Sequence, residues 1–326
     1  MIKIKFPDYY EKFSCIADKC EKTCCASWQV VVDDEARQRY EKEPTGLGEK
    51  LREYMTFDGE DYIFRLENGR CPFLDDRNLC EIYSALGQLS LCRTCERYPR
   101  FETDFGGRKE LGLSVSCPTA ARLILLNDDF PTYLDSETDG VPEPNSIDPE
   151  LYFSVMRART HILKLLHETD ELNEAFDKIV EFTIEFQKLT DGDCVFDETE
   201  KLISKKSKPV KREYGLNCLD ELLSLEKLDS ATHELALSKL GSKPDFHIHK
   251  NMLKRLFEYY IYRYFSLTVF GEAPLSAVRL AIFGVSCVAS LLPENASEND
   301  VIDAAVAYSR EVEHSQKNLD AVKSHI

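Results

Sequence analysis

Apolar residues follow two different patterns along this chain. From residue 151 onward they recur every three or four positions, as in Phe153, Met156, Ile162, Leu165 and Leu166, and again in Phe176, Ile179, Val180 and Phe186. That spacing gathers them on one face of an α-helix. Helices are predicted again over 217–225 and 230–240, followed by an aromatic one carrying Phe257, Tyr259, Tyr260, Tyr262, Tyr264, Phe265 and Phe270. Core packing is the ordinary explanation for those rings, and a pocket that stacks a cofactor is the alternative. The most apolar run, 280–292, holds no charge and is closed by Arg279 and by Pro293 and Glu294. It is too short to cross about 30 Å of hydrocarbon at roughly 1.5 Å per residue, so it predicts a buried helix.

Upstream of residue 125 the apolar runs are short. Those at 28–32, 62–66 and 111–115 read as strands, separated by the turn pairs Asp58-Gly59, Asn68-Gly69 and Gly106-Gly107. Between them and the helices, 128–150 is rich in Asp, Glu, Ser and Asn, and Pro131, Pro142, Pro144 and Pro149 exclude a continuous helix. A second polar stretch, 191–213, with Lys205, Lys206, Lys208, Lys211 and Arg212, predicts an exposed loop. The expected fold is mainly α: a cysteine-rich α+β metal-binding region over 1–125, a linker or surface loop over 126–150, and an α-helical domain over 151–326.

The formal net charge of −17 argues against a grip on nucleic acid, which needs clustered Lys and Arg. An acidic surface can attract a lysine-bearing partner, although solubility explains most such charge. The opening MIKIKFPDYYEKF is charged throughout, unlike a secretory signal, so the expected place is the cytoplasm, with no membrane association.

Cysteine use departs furthest from the average. Of twelve cysteines, nine lie between Cys15 and Cys117, and Cys194, Cys218 and Cys287 are scattered beyond. In a reducing compartment, clustered thiols hold metal more often than they form disulfides. Cys15, Cys20, Cys24 and Cys25 share one segment. On a helical turn Cys20 and Cys24 would project from one face, while adjacent Cys24 and Cys25 would serve different sites. Cys71 opens and Cys80 closes CPFLDDRNLC, where a turn lets two strands bring their thiols together. Cys92 and Cys95 follow at C-x-x-C spacing, and Cys117 stands before a helix predicted from about Thr119. Separated groups of thiols suit zinc and iron-sulfur clusters alike. Irregular spacing favours the cluster, and more than four thiols leave room for two sites. The alternative is a set of inert buried cysteines.

The segments C-x4-C-x3-CC-x2-W at 15–28, CPFLDDRNLCEIY at 71–83, TCERYPR at 94–100 and LSVSCP at 113–118, with AYSREVEHSQKNL at 307–319, resemble the flagellin lysine-N-methylases. The resemblance implies transfer of methyl from S-adenosylmethionine to lysine amines of flagellin, the bacterial flagellum's protein, with a 4Fe-4S cluster. It marks Cys15, Cys20, Cys24, Cys25, Cys71, Cys80, Cys95 and Cys117 as the metal set, leaving Cys92 as an extra. Trp28, Tyr98 and Arg100 fall at its motif positions and form the expected cofactor-binding set. The cysteine part by itself also resembles non-catalytic zinc- or iron-chelating proteins.

A lysine with a pKa of about 10.4 must lose its proton before it is methylated. Tyr308, Glu311, Glu313 and His314 form the expected catalytic group for that step. The competing reading makes them a solvated helix face. Arg100 either binds the donor's carboxylate or pairs with an acidic neighbour. No glycine-rich nucleotide-binding turn of the G-x-G-x-x-G type occurs.

Overall fold

A computed structural model describes residues 1–20, 22–26, 28, 30–127, 129–141, 147–192, 196–205 and 209–325. The chain opens with β1 (Ile2–Pro7), then β2 (Val30–Val31), α1 (Asp34–Lys42), α2 (Gly46–Tyr54), β3 (Met55–Phe57) and β4 (Tyr62–Phe64). Next come α3 (Glu81–Leu86), α4 (Arg93–Arg97), β5 (Arg100–Asp104), β6 (Arg108–Leu113), α5 (Pro118–Leu125) and β7 (Tyr133–Thr138). Among the described residues helices alone follow: α6 (Pro149–Glu168), α7 (Leu172–Thr190), α8 (Phe196–Ser204), α9 (Cys218–Ser224), α10 (Ser230–Ser238), α11 (Lys250–Tyr264), α12 (Pro274–Leu291), α13 (Glu298–Glu313) and α14 (Gln316–His325).

The strands form two sheets. The larger is ordered β5-β6-β1-β7, with β1 parallel to β6 (Lys3 opposite Arg108) and antiparallel to β7 (Ile2 opposite Thr138). The smaller is β2-β4-β3. β7 lies in the stretch whose composition predicts a linker. Its side chains are almost all exposed, so it leaves no apolar alternation to read, and only the partner β1 makes it a strand. Likewise α8 interrupts the predicted loop at 191–213. Residues 142–146, 193–195 and 206–208, including Pro142, Pro144, Cys194, Lys206 and Lys208, lie outside the described residues.

Two apolar cores result. The larger joins α5–α7 and α9–α14 to the big sheet, and it takes in Tyr9, Phe13, Phe105, Leu113 and Val115. The boundary near residue 125 therefore runs through a stretch whose apolar side chains already belong to the helical core. The smaller core, with Val30, Ala36, Tyr40, Leu51, Phe64, Phe73 and Ile82, also buries Cys71 and Cys92. A core this small needs a further staple. In the large one, α12 is long and apolar enough to span a bilayer, and 83% of it is buried among its neighbours. Gly284 lets that helix close on α11 and α13: a Cβ there would stand 2.8 Å from the Tyr260 ring and 3.0 Å from that of Tyr308.

Candidate metal centre

The described cysteines are free thiols, and those of the N-terminal part fall into two groups. An inner group of Cys25, Cys71, Cys80, Cys92 and Cys95 packs within or against the small core. Cys71 donates its amide to the Cys25 carbonyl at 2.8 Å. The turn that returns the chain to Cys80 is built by Asp75, whose Oδ1 accepts from the amides of Arg77 and Leu79 at 2.9 and 2.8 Å, and by Asn78 at φ +60°. Instead of the predicted pair of strands, a single bridge between Leu74 and Cys80 closes this loop. Cys92 caps α4 and Cys95 lies one turn in, which brings the two thiols of the C-x-x-C pair together. Asp33 ties this end to α1 by accepting from the Arg93 amide at 2.7 Å.

The seam group, Cys15, Cys20, Cys24 and Cys117, lies where this region meets the helices. Cys117 caps α5 as expected and packs on the large core. A 3-10 turn over Ala17–Lys19 ends before Cys20, which is itself extended. The Cys20 thiol instead donates to the Lys22 carbonyl at 3.3 Å.

Neighbouring thiols perturb one another strongly. Burial pushes Cys71 up to about 12, with Cys25, Cys80 and Cys92 adding like charge. Cys95 is raised by its hydrogen bond with Cys92, by burial, and by Cys25 and Cys80 nearby. Burial, then Cys20 and Cys15, raise Cys117. Cys24 is raised by its hydrogen bond with Cys25 and by burial, with Cys117 and Cys15 beyond, while that same bond lowers Cys25 to about 7. Through that bond the adjacent Cys24 and Cys25 link the seam group to the inner group.

Buried, mutually repelling thiols ionise together only when a cation compensates them. An all-sulfur donor set suits zinc or an iron-sulfur cluster. Among the described residues no three Cys, His, Asp or Glu side chains converge on one point as around a single ion. The thiols are gathered but not closed.

α13 presents Arg310 and His314 to the seam, one turn apart on one face, while Glu313 turns to α11. Arg310 donates to the carbonyls of Ser116 and Lys22, both at 2.9 Å, and Lys22 reaches Asp303 at 2.6 Å. Trp28, whose indole N–H donates to the Cys24 carbonyl at 2.6 Å, packs against His314 with ring centroids 4.6 Å apart and planes tilted by 32°, and Tyr98 completes the triad at 5.7 Å from Trp28. His314 Nε2 is buried with no partner. Burial and the guanidinium groups of Arg310 and Arg263 push this imidazole down to about 3, so it stays neutral.

Glu313 accepts from Tyr259 and Tyr264 at 2.8 and 2.7 Å and pairs with Arg263 at 2.9 Å. Arg263 continues to Ser114 at 3.1 Å, Ser114 to Ser116 at 2.7 Å, and Ser116 to the Tyr98 hydroxyl at 3.0 Å. A polar line thus leads from the interior of the helices to the triad.

The other predicted residues lie elsewhere. Tyr308 is fully buried in the large core, its hydroxyl without a partner. Glu311 is fully buried and accepts from the amides of Leu228 and Asp229 and from His233, at 2.8, 2.9 and 2.9 Å, which secures the start of α10. The reading of these residues as a solvated face fails, because the helix is packed on two sides. Arg100 is exposed on β5, donates to the Phe13 carbonyl at 3.3 Å and lies over the Phe13 ring. Cys218 and Cys287 sit in the helical core, where the Cys287 thiol donates to the Cys218 carbonyl at 3.4 Å. Cys92, an extra by resemblance, is an inner-group member that its C-x-x-C spacing could have revealed. Ser114 and Ser116 lie in the LSVSCP segment and Arg310 in AYSREVEHSQKNL, yet none is among the residues expected at the site, and Arg263 lies in no quoted motif.

Residues 159–326 match the family model of the FliB lysine N-methylase C-terminal domain. Residues 14–112 match the CxxCxxCC family, described as a "Putative zinc- or iron-chelating domain". A Lysine-N-methylase of Salmonella typhimurium is 27% identical over 142 residues, covering 39% of this chain and 34% of that protein. The Flagellar biosynthetic protein FliU of Salmonella muenchen is 26% identical over 141 residues, 39% of this chain and 80% of its own. A Lysine-N-methylase of Salmonella choleraesuis matches as the first does, at 27% and 34% of its length. The match thus spans about a third of the two lysine-N-methylases. No solved structure matches the chain.

Proposed function

Because this chain belongs to the FliB lysine N-methylase family, with a CxxCxxCC domain ahead of the FliB domain, we propose that it methylates lysine side chains of a flagellar protein, flagellin. In this reading S-adenosylmethionine is the donor, a thiolate-bound iron-sulfur cluster is the metal centre, and the reaction takes place in the cytoplasm. Region 1–125 supplies the thiols, 126–150 connects, and helical domain 151–326 supplies the groups that cover them. The observation that carries the reading is the meeting of α13, from the methylase domain, with the cysteine-bearing segments through Arg310 and His314.

The lysine nitrogen forms a bond to the methyl carbon while the carbon–sulfur bond breaks and its electron pair stays on sulfur. Before that step the ammonium gives one proton to solvent, which frees the lone pair that forms the bond. When bound, S-adenosylmethionine supplies the sulfonium-activated methyl, and the cluster compensates the buried thiolates. The chain's own groups prepare the amine. The burial and guanidinium charges that depress His314 also depress a lysine ammonium held beside it. The free Nε2 lone pair of His314 accepts a hydrogen bond from that amine and orients it. The faces of Trp28 and Tyr98 suit a cation, sulfonium or ammonium. Glu313 holds Arg263 and, through Ser114 and Ser116, the Tyr98 hydroxyl. Glu311 and Tyr308 keep α13 seated.

The test is anaerobic purification with iron, zinc and acid-labile sulfide analysis, a calorimetric titration with S-adenosylmethionine, and mass spectrometry of flagellin after incubation. Iron with sulfide, donor binding and added methyl groups are expected. Zinc without sulfide and no donor binding would instead establish a non-catalytic chelator, the reading that the CxxCxxCC match favours.

A further inference from the structure

The two family matches leave residues 113–158 between them uncovered. Part of that stretch walls a cavity of about 250 Å³ that opens between α6 and one face of the large sheet. Tyr133 of β7 and Tyr152, Phe153 and Met156 of α6 line it, and it shares no residue with the cysteine segments or with Trp28, Tyr98 and His314.

Its floor is fixed. Tyr262 stacks on Tyr133 with ring centroids 4.7 Å apart, and its hydroxyl donates to the carbonyls of Lys5 and Leu111, at 3.2 and 3.0 Å. Arg159 lies over the Tyr262 ring at 5.2 Å. Arg159 and Glu110 are buried and pair through two guanidinium nitrogens, one of them at 2.6 Å. Both oxygens of Glu110 are therefore taken, and the lining offers no other carboxylate to a cation. The mouth is different. Arg108 stands 5.9 Å over the rings of both Tyr152 and Phe153, and among the described residues its guanidinium donates no hydrogen bond and enters no ion pair. In the sheet register Lys3 is opposite both Arg108 and Glu137, and Lys5 is opposite Asp135, so all five share one face. The three cations Lys3, Lys5 and Arg108 thus meet the two carboxylates Asp135 and Glu137, leaving one positive charge in excess on a chain of formal net charge −17.

One unpaired guanidinium suits one negative charge, and its planar fork can take a carboxylate through two parallel bonds. Tyrosine and phenylalanine faces suit a flat ring. Sites for drug-sized ligands run to roughly 300–1,000 Å³, so this smaller cavity suits a single-ring molecule. Its walls are held by their own contacts, and binding does not first have to order them.

We propose that this cavity binds a small aromatic carboxylate, its ring against the tyrosine faces and its carboxylate on Arg108. Arg159 and Glu110 are positioning residues that hold Tyr262 and the floor. The inference is independent of methyl transfer and of the metal centre.

The full chain, purified anaerobically, is titrated calorimetrically and by saturation-transfer NMR with benzoate, with benzamide, which lacks the charge, and with acetate, which lacks the ring. Benzoate should bind with a dissociation constant of about 1 mM or tighter, and benzamide and acetate much more weakly. Arg108→Gln should weaken benzoate by about 10-fold or more, as loss of a charged hydrogen-bond donor does. Thr160 lines the cavity from an exposed position, so Thr160→Trp should fill it and abolish binding. Arg108 is also exposed, which keeps the test valid if Thr160→Trp misfolds. Absence of benzoate binding to the wild type would overturn the proposal. So would equal binding of benzamide or acetate, or undiminished benzoate binding in either folded variant.

Discussion

Replacement of Glu311 by Gln separates a structural carboxylate from a reacting one. Glu311 is fully buried, with Oε1 taking the Leu228 amide and His233 Nε2 and Oε2 taking the Asp229 amide. Gln keeps the shape but turns one oxygen into an NH2 group. Its best orientation leaves the carbonyl where Oε1 was and sets the NH2 against the Asp229 amide, so one buried donor loses its acceptor. That costs about 1–3 kcal/mol, and loss of the negative charge weakens the other two bonds by a further ~1 kcal/mol in all. The expected loss is about 2–4 kcal/mol out of a typical ~5–15 kcal/mol for a folded domain. Urea unfolding at constant slope, followed by far-UV circular dichroism, measures it. Methyl transfer per folded molecule should be unchanged. A variant as stable as wild type refutes the capping argument. A variant that keeps its fold but transfers no methyl makes Glu311 a reacting group.

The imidazole of His314 titrates near 6.5 in an unfolded chain but only near 3 in the folded one. Between those values the unfolded state binds the extra proton, so stability should fall as pH drops from about 6.5 towards 3, by at most ~1.4 kcal/mol per unit. His314→Gln should flatten that acid limb in urea melts, and an unaltered limb would show that the imidazole is not buried neutral. Cys92→Ala should lower metal content, whereas Cys218→Ala and Cys287→Ala should leave it at the wild-type level in elemental analysis. Chelation or oxidation of the thiolate centre should expose the small core to limited proteolysis before the helices, because so few apolar side chains hold it. Equal resistance with and without metal would refute that order.

The sequence by itself determined the elements whose signal is local. α6, α7, α11 and α12 are legible because a helix buried on a packed core must repeat apolar residues at its own period, and every residue of that period is a near neighbour in the chain. The turn at Asp75 to Asn78 and the capping position of Cys117 are legible for the same reason. Tertiary structure decided the rest. β7 is an exposed edge whose only cause is β1, more than a hundred positions away. The four polar residues near the C-terminus form a compact group in sequence, yet α13 is packed on two sides, which sends Tyr308, Glu311 and Glu313 among the helices and His314 towards the seam. Adjacent Cys24 and Cys25 share a thiol hydrogen bond that ties the seam group to the inner one, where divergent directions were expected from their adjacency. Arg310 bonds residues 194 and 288 positions away, and no local spacing encodes a partner at that distance. The chain specifies its thiols and helices residue by residue, but which thiols meet depends on how two cores pack together.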